Sequence, residues 1–217
     1  LQPQAGKAVR LIALSVALFN GVQSAMTFSR GGLYGVAGAL VVGSVGFVAD
    51  PRARRWLVRF VVIAGVAGAG VIWPYLNDFT GGAIGRRFRD TGMTNRDALI
   101  RDDLRIWSEH PMLGVGPGMS MYHRSAFVGA GHTEYSRLLA EHGSLGLLAL
   151  TSVGVMAVGV AVRPVRSPYM RGFRLSLVTW SMLTMIHAAM RLSLPGLVFG
   201  LAHLLPVQDD ASEAEDA

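Results

Sequence analysis

Three groups of side chains in this sequence are of a kind that does chemistry. Arg30 stands in Thr27-Phe28-Ser29-Arg30-Gly31-Gly32, squeezed between two uncharged runs. A second set of arginines, Arg86, Arg87, Arg89, Arg96 and Arg101, follows a glycine-rich stretch containing Gly81, Gly82 and Gly85. The third group is His132-Thr133-Glu134-Tyr135, directly after Gly129-Ala130-Gly131. Arginine's planar fork binds phosphate and carboxylate oxygens through charge-assisted hydrogen bonds. An imidazole titrating near ~6.5 exchanges protons at neutral pH. Each has an ordinary alternative: Arg30 as an anchor reaching to a membrane interface, Arg96 as a solvated loop cation, His132 as a structural histidine, Glu134 as a stabiliser of a helix start.

Other chemistries find no support. Gly114-Val115-Gly116-Pro117-Gly118 lacks the third glycine of a dinucleotide fingerprint and any Lys-Ser/Thr continuation, so it reads as a turn. His110 and His123 have no ligand-like spacing, and His187 and His203 stand alone in apolar runs, so no zinc site is legible. The absence of cysteine excludes disulfides, thiolate sites and a cysteine nucleophile. No Gly-x-Ser-x-Gly occurs and no cofactor motif is present.

These residues are embedded in an apolar chain. Of 217 residues 51% are hydrophobic and only 16% charged, a balance that argues against a water-soluble domain. Charge-free runs occupy residues 11–29, 31–49, 60–77 and 143–162, each long enough at ~1.5 Å per residue to cross a ~30 Å hydrocarbon core. The sequence predicts an all-α polytopic bundle with spans at 11–29, 31–49, 57–76, about 138–162 and 173–190. A weaker sixth, at 192–206, is interrupted by Pro195 and Gly196 and reads as a broken or re-entrant helix.

The formal charge of +6 resides in 19 arginines and one lysine, gathered mainly in short connections. Lys7 and Arg10, then Arg52, Arg54, Arg55 and Arg59, then Arg163, Arg166, Arg171 and Arg174 all fall on one side of the predicted bundle. The positive-inside rule puts that side in the cytoplasm. No basic stripe interleaved with aromatics points to nucleic acid.

Four segments follow: spans within 1–76, a large extracytoplasmic loop at 77–137, spans within 138–208, and an acidic tail at 209–217 expected to be disordered. Within the loop a helix is predicted from the N-cap Asn95 to Glu109, its apolar face supplied by Leu99 or Ile100, Leu104 and Trp107, with Pro111 ending it. A second helix is expected to open at His132 and to run unbroken into the fourth span. The chain starts at Leu1 without a secretory-type leader and reads as part of a longer protein.

The order of the pieces carries a resemblance. Thr-Phe-Ser-Arg-Gly comes first, then Asn95-Arg96-Asp97 opening a segment that ends Trp107-Ser-Glu-His-Pro111-Met-Leu-Gly-Val-Gly-Pro-Gly118. Last come His132-x-Glu134-Tyr135 and Glu141-x-Gly143-x-x-Gly146. Together these resemble the O-antigen ligase and polymerase superfamily of membrane glycosyltransferases, specifically its C-terminal half. Thr133 departs from the Asn or Ser expected after the histidine.

The resemblance implies an enzyme of the bacterial cytoplasmic membrane. It would take a glycan from an undecaprenyl-diphosphate carrier and pass it to a lipid, saccharide or protein acceptor at the outer face. Arg30, Arg96 and His132 are the implied catalytic set, the arginines stabilising the leaving diphosphate and the histidine taking the acceptor's proton. Arg86, Arg87, Arg89, Arg101, Glu134 and Tyr135 are candidate substrate contacts. No metal or cofactor is implied. The competing expectation is a transporter or scaffold that binds lipid-linked saccharide without reacting.

Overall fold

The computed structural model describes residues 30–48, 50–89, 96–125, 133–165, 167–187 and 193–204, and all regular structure among them is helical. Eight α-helices are present there: α1 (Arg30–Ser44), α2 (Pro51–Ala67), α3 (Trp73–Phe79), α4 (Ala83–Arg89), α5 (Arg96–Glu109), α6 (Glu134–Val162), α7 (Pro168–Thr184) and α8 (Ser193–Leu204). The first predicted span and the acidic tail lie outside the described residues.

Among the described residues two stretches are long and apolar enough to cross a membrane: Arg54–Phe79, of 26 residues, and Glu134–Val162, of 29, whose most apolar 18 residues have mean hydropathy 1.9 and 2.3. The first is continuous through α2 and α3. Pro74 supplies no N–H to the ladder, and just before it Gly68–Ile72 widens into a π-helical turn in which the Trp73 N–H reaches back to the Gly68 carbonyl. Apolar helices Tyr34–Phe47 and Ser193–Leu204 are shorter. At ~1.5 Å per residue the 12 residues of α8 rise well short of a ~30 Å core, in keeping with the weak, proline-interrupted signal there.

α1 packs along α7 through a glycine contact. A Cβ on Gly43 would collide with the Ser176 hydroxyl and stand 2.9 Å from the Gly172 carbonyl, and one on Gly172 would come within 2.7 Å of the Gly43 carbonyl. Without side chains the backbones approach closely enough for the Ser176 hydroxyl to donate to the Ala39 carbonyl at 3.0 Å. α7 also packs on α8, and a small core of Val160, Val178 and Ala202 joins α6, α7 and α8.

The expectation of one unbroken helix into the fourth span is corrected. Gly143 has φ 56° and ψ −127°, which no helix contains, and α6 is two helices joined there. The bend is sharp: a Cβ on Gly146 would strike the carbonyl of Leu138, eight residues earlier, whereas a straight helix would separate them by about 12 Å. Glu141-x-Gly143-x-x-Gly146 therefore encodes a corner. Gly143 turns the chain and Gly146 makes room for the turned backbone. The charge-free run 143–162 starts at this corner.

Candidate active site

The polar segment between Phe79 and α6 is organised by the buried face of α5. Leu99 and Ile106 are almost wholly buried, and Asp102 and Asp103 lie between them on the same stripe. Of Leu99 or Ile100, expected on the apolar face, Leu99 is the one buried, whereas Leu104, also expected there, is 42% exposed. The carboxylates are inside because distant residues complete them. Asp103 receives Arg124 at 3.0 Å (Nε) and 2.7 Å (Nη2), and the Ser136 hydroxyl at 2.8 Å. Asp102 receives both the backbone N–H and the hydroxyl of Ser125, at 3.0 and 2.9 Å. The chain at 124–125 is thereby fastened to α5 immediately before residues 126–132.

On the far side of that segment, Thr133 caps α6. It is extended (φ −136°, ψ 133°), and its hydroxyl accepts the N–H of Tyr135 at 3.3 Å. Glu134, buried, pairs with Arg137, whose other arm reaches Glu141 at 2.6 Å. Glu141 also accepts the Ser120 hydroxyl at 2.9 Å, and Arg124 lies 3.3 Å from the same hydroxyl. One polar network thus links Asp103, Arg124, Ser120, Glu141, Arg137 and Glu134.

The glycine turn after α5 completes the arrangement. Breaking α6 at Gly143 releases the carbonyls of Ala140 and Glu141 from their usual partners four residues on. Val115 and Gly116 N–H groups take them, each at 3.0 Å, while the freed Ser144 N–H goes to the Met112 carbonyl at 3.0 Å. Turn and broken helix exchange backbone hydrogen bonds as two halves of one junction. Gly114 (φ 67°) sits against Glu141 with no space for a Cβ.

Ionisation follows from these contacts. Burial pushes the Glu141 carboxyl up, but the Gly118 N–H, the Ser120 hydroxyl and Arg137 outweigh it and hold the group below its ordinary value. Burial likewise pulls the Arg137 guanidinium down, and its hydrogen bonds and attraction to Glu134 and Glu141 reverse that and leave it raised. The Tyr135 phenol is raised by burial. Its hydroxyl donates to the Met182 carbonyl at 3.0 Å, tying the start of α6 to α7.

Of the residues expected to act, Arg30 opens α1 and Arg96 opens α5, while His132 lies outside the described residues. Glu134 and Tyr135 come together at the start of α6, engaged with protein partners. Arg86, Arg87 and Arg89 belong to α4, and Arg86 folds back toward Gly82. Arg101 is not brought to the buried network: its side chain is 75% exposed and pairs with Asp97 at 3.2 Å. Sequence reasoning missed Asp103, Arg124, Ser120 and Ser136. One signal was available, since Arg124 is the only Lys or Arg between residues 106 and 136.

Among the described residues, two helical stretches of membrane-spanning length flank a polar, hydrogen-bonded loop, an all-helical arrangement consistent with a membrane protein. Residues 13–151, more than half of the chain, match the family model for O-antigen ligase, and the chain belongs to that family. No curated protein and no solved structure matches it. The family performs glycosyl transfer of the O-antigen ligase or polymerase type on lipid-linked saccharides, and its members are integral inner-membrane proteins.

Proposed function

We propose that this chain carries the catalytic loop of an inverting glycosyltransferase whose donor is an undecaprenyl-diphosphate-linked glycan and whose acceptor is a hydroxyl at the outer face of the membrane. In this reading five or six spans hold residues 77–137 outside, and the hydrocarbon core is entered at the Gly143 corner. The observation that carries it is the fastening of both flanks of the 126–132 segment. Ser125 is held on Asp102, and Thr133 caps α6 beside a paired Glu134. Thr133, the sequence neighbour of His132, belongs to this hydrogen-bonded framework, which is the support a catalytic group requires beside it.

His132 is the general base. Adjoining a helix N-terminus disfavours its cationic form, so it meets the acceptor neutral. It takes the hydroxyl proton as the acceptor oxygen bonds to the anomeric carbon, while the bond from that carbon to the diphosphate oxygen breaks. The diphosphate leaves on its lipid carrier, and direct displacement inverts the anomeric centre. Arg30 and Arg96 stabilise the charge that grows on the leaving oxygens, a role for which two guanidinium groups suffice without a metal or cofactor. Arg86, Arg87, Arg89 and Arg101 are further cations for the diphosphate or sugar. Glu134 and Tyr135 act by fixing the helix start next to the histidine.

The test replaces Arg30, Arg96 and His132 singly by Ala in the full-length protein and measures glycan transfer from the lipid-linked donor. Each arginine variant is expected to lose on the order of 10²–10³ in rate, and His132→Ala to lose transfer with normal membrane insertion. Normal transfer by all three variants overturns the proposal. So does movement of labelled lipid-linked saccharide across vesicles with no transferred product.

A further inference from the structure

The residues between α5 and the network form an apolar projection that the outer loop has no internal use for. From Pro111 to Tyr122 there is no Lys, Arg, Asp or Glu, in a loop otherwise dense with charge. Ser120 turns inward to the network, but the large apolar side chains on either side of the glycine turn do not: Leu113 is 76% exposed and Met112 70%, with Tyr122 and Met119 also exposed. Polar loops in water do not ordinarily present neighbouring large apolar side chains, and those that do mark a contact surface.

The position of the projection identifies what it contacts. The Met112 carbonyl accepts both the backbone N–H and the hydroxyl of Ser144, at 3.0 and 2.7 Å. A Cβ on Gly143 would be 2.7 Å from the same Met112 carbonyl group. Met112 is therefore held beside the first residues of the charge-free stretch 143–162, where Leu145, Leu147 and Leu148 are exposed in their turn. The exposed apolar side chains of the turn are thus tethered, through the Met112 carbonyl, to the first residues of a charge-free run long enough to enter a bilayer.

We propose that Met112 and Leu113 insert into the leaflet on the loop's side of the membrane, at the boundary between headgroups and acyl chains, and hold the glycine turn there. The partner is the lipid bilayer itself. Buried apolar side chains on a loop anchor it in that boundary as the apolar face of an interfacial helix does. The consequence is positional: the Gly114–Gly118 turn, Glu141 and the start of α6 are kept at the depth where a lipid-linked diphosphate presents its charge. That consequence rests on the proposed function; the insertion does not.

The natural absence of cysteine makes the measurement direct. Leu113→Cys in the full chain, labelled with an environment-sensitive fluorophore and reconstituted in lipid nanodiscs, is compared with Arg101→Cys, a position 75% exposed on the solvent side of α5. The label at 113 is expected to emit to the blue and to be quenched by lipids brominated near the top of the acyl chain. The label at 101 is expected to respond instead to soluble iodide. Iodide quenching at 113 equal to that at 101, without quenching by brominated lipid, overturns the proposal. A blue shift at 113 that depends on protein density and ignores the lipid quencher also overturns it, assigning the surface to a second copy of the chain. Because the readout is depth and not transfer, its failure is distinct from failure of the glycosyltransferase reading.

Discussion

Two arginines, Arg124 and Arg174, are almost wholly buried, and their surroundings differ. Arg124 lies in the loop between α5 and α6 against Asp103, with Ser120 beside it, and each partner is itself fixed by α5 or α6. Arg174 lies in α7, with the like charge of Arg163 near enough to act on it. Its Nε donates to the Ala202 carbonyl at 2.9 Å, and its two terminal nitrogens have no hydrogen-bond partner among the described residues. The first is a charge balanced by an opposite charge. The second leans on the carbonyl end of α8, where the aligned peptide dipoles carry partial negative charge. The difference separates a region whose polar contacts specify a loop shape from one where helix packing does most of the work and a single cation sits at a helix end.

The comparison can be broken most severely at Asp103. Asp103→Ala removes the buried carboxylate that Arg124 and Ser136 both engage and is expected to cost about 3–5 kcal/mol, read as a lowered midpoint of unfolding in detergent. The double variant Asp103→Ala/Arg124→Ala is expected to recover part of the loss. A single-variant loss no larger than that of an exposed pair such as Arg101–Asp97 would show that the network does not hold the loop.

The corner between the regions comes next. Gly143→Ala places a Cβ at positive φ and against the Met112 carbonyl, an expected cost of about 1–3 kcal/mol from the backbone conformation alone. Hydrogen exchange should rise at Val115 and Gly116, whose N–H groups bond to the broken turn of α6. Unchanged protection at those two amides would mean that the junction does not depend on the corner.

The smallest effect is expected at Arg174. Arg174→Met keeps the volume, removes the poorly satisfied guanidinium and forfeits one hydrogen bond, so the unfolding midpoint should move by about 1 kcal/mol or less in either direction. A loss approaching that of Asp103→Ala would erase the contrast and give Arg174 a partner of comparable importance.

What was readable from the sequence followed local physics. The helix at Arg96–Glu109 was announced by the residues at its start and by Pro111 just beyond its end, and the apolar stretch that became Arg54–Phe79 by its freedom from charge. The buried face of α5 was not readable. Apolar character alone favoured Leu104, while the stripe actually buried contains two aspartates. Nothing within α5 indicates that Arg124 and Ser136, 21 and 33 residues away from Asp103, will arrive to satisfy one of them. The break at Gly143 was missed for a related reason, since apolar residues continue past it and a glycine is tolerated inside many helices. Only the return of the Met112–Gly116 backbone to the same place makes the break stable.

The amino-acid order by itself determined the class of molecule: where charge is absent long enough for a helix to enter lipid, where cations gather, and which ordered motifs mark the family. These depend on neighbours within a few turns, whose solvation and spacing act before the chain folds. Tertiary structure alone decided which carboxylates could be buried, where α6 turns its corner, and which backbone groups of the glycine turn meet the broken helix. Each of those depends on a partner supplied from far along the chain, because a buried charge or a freed carbonyl is tolerable only when that partner is already in place.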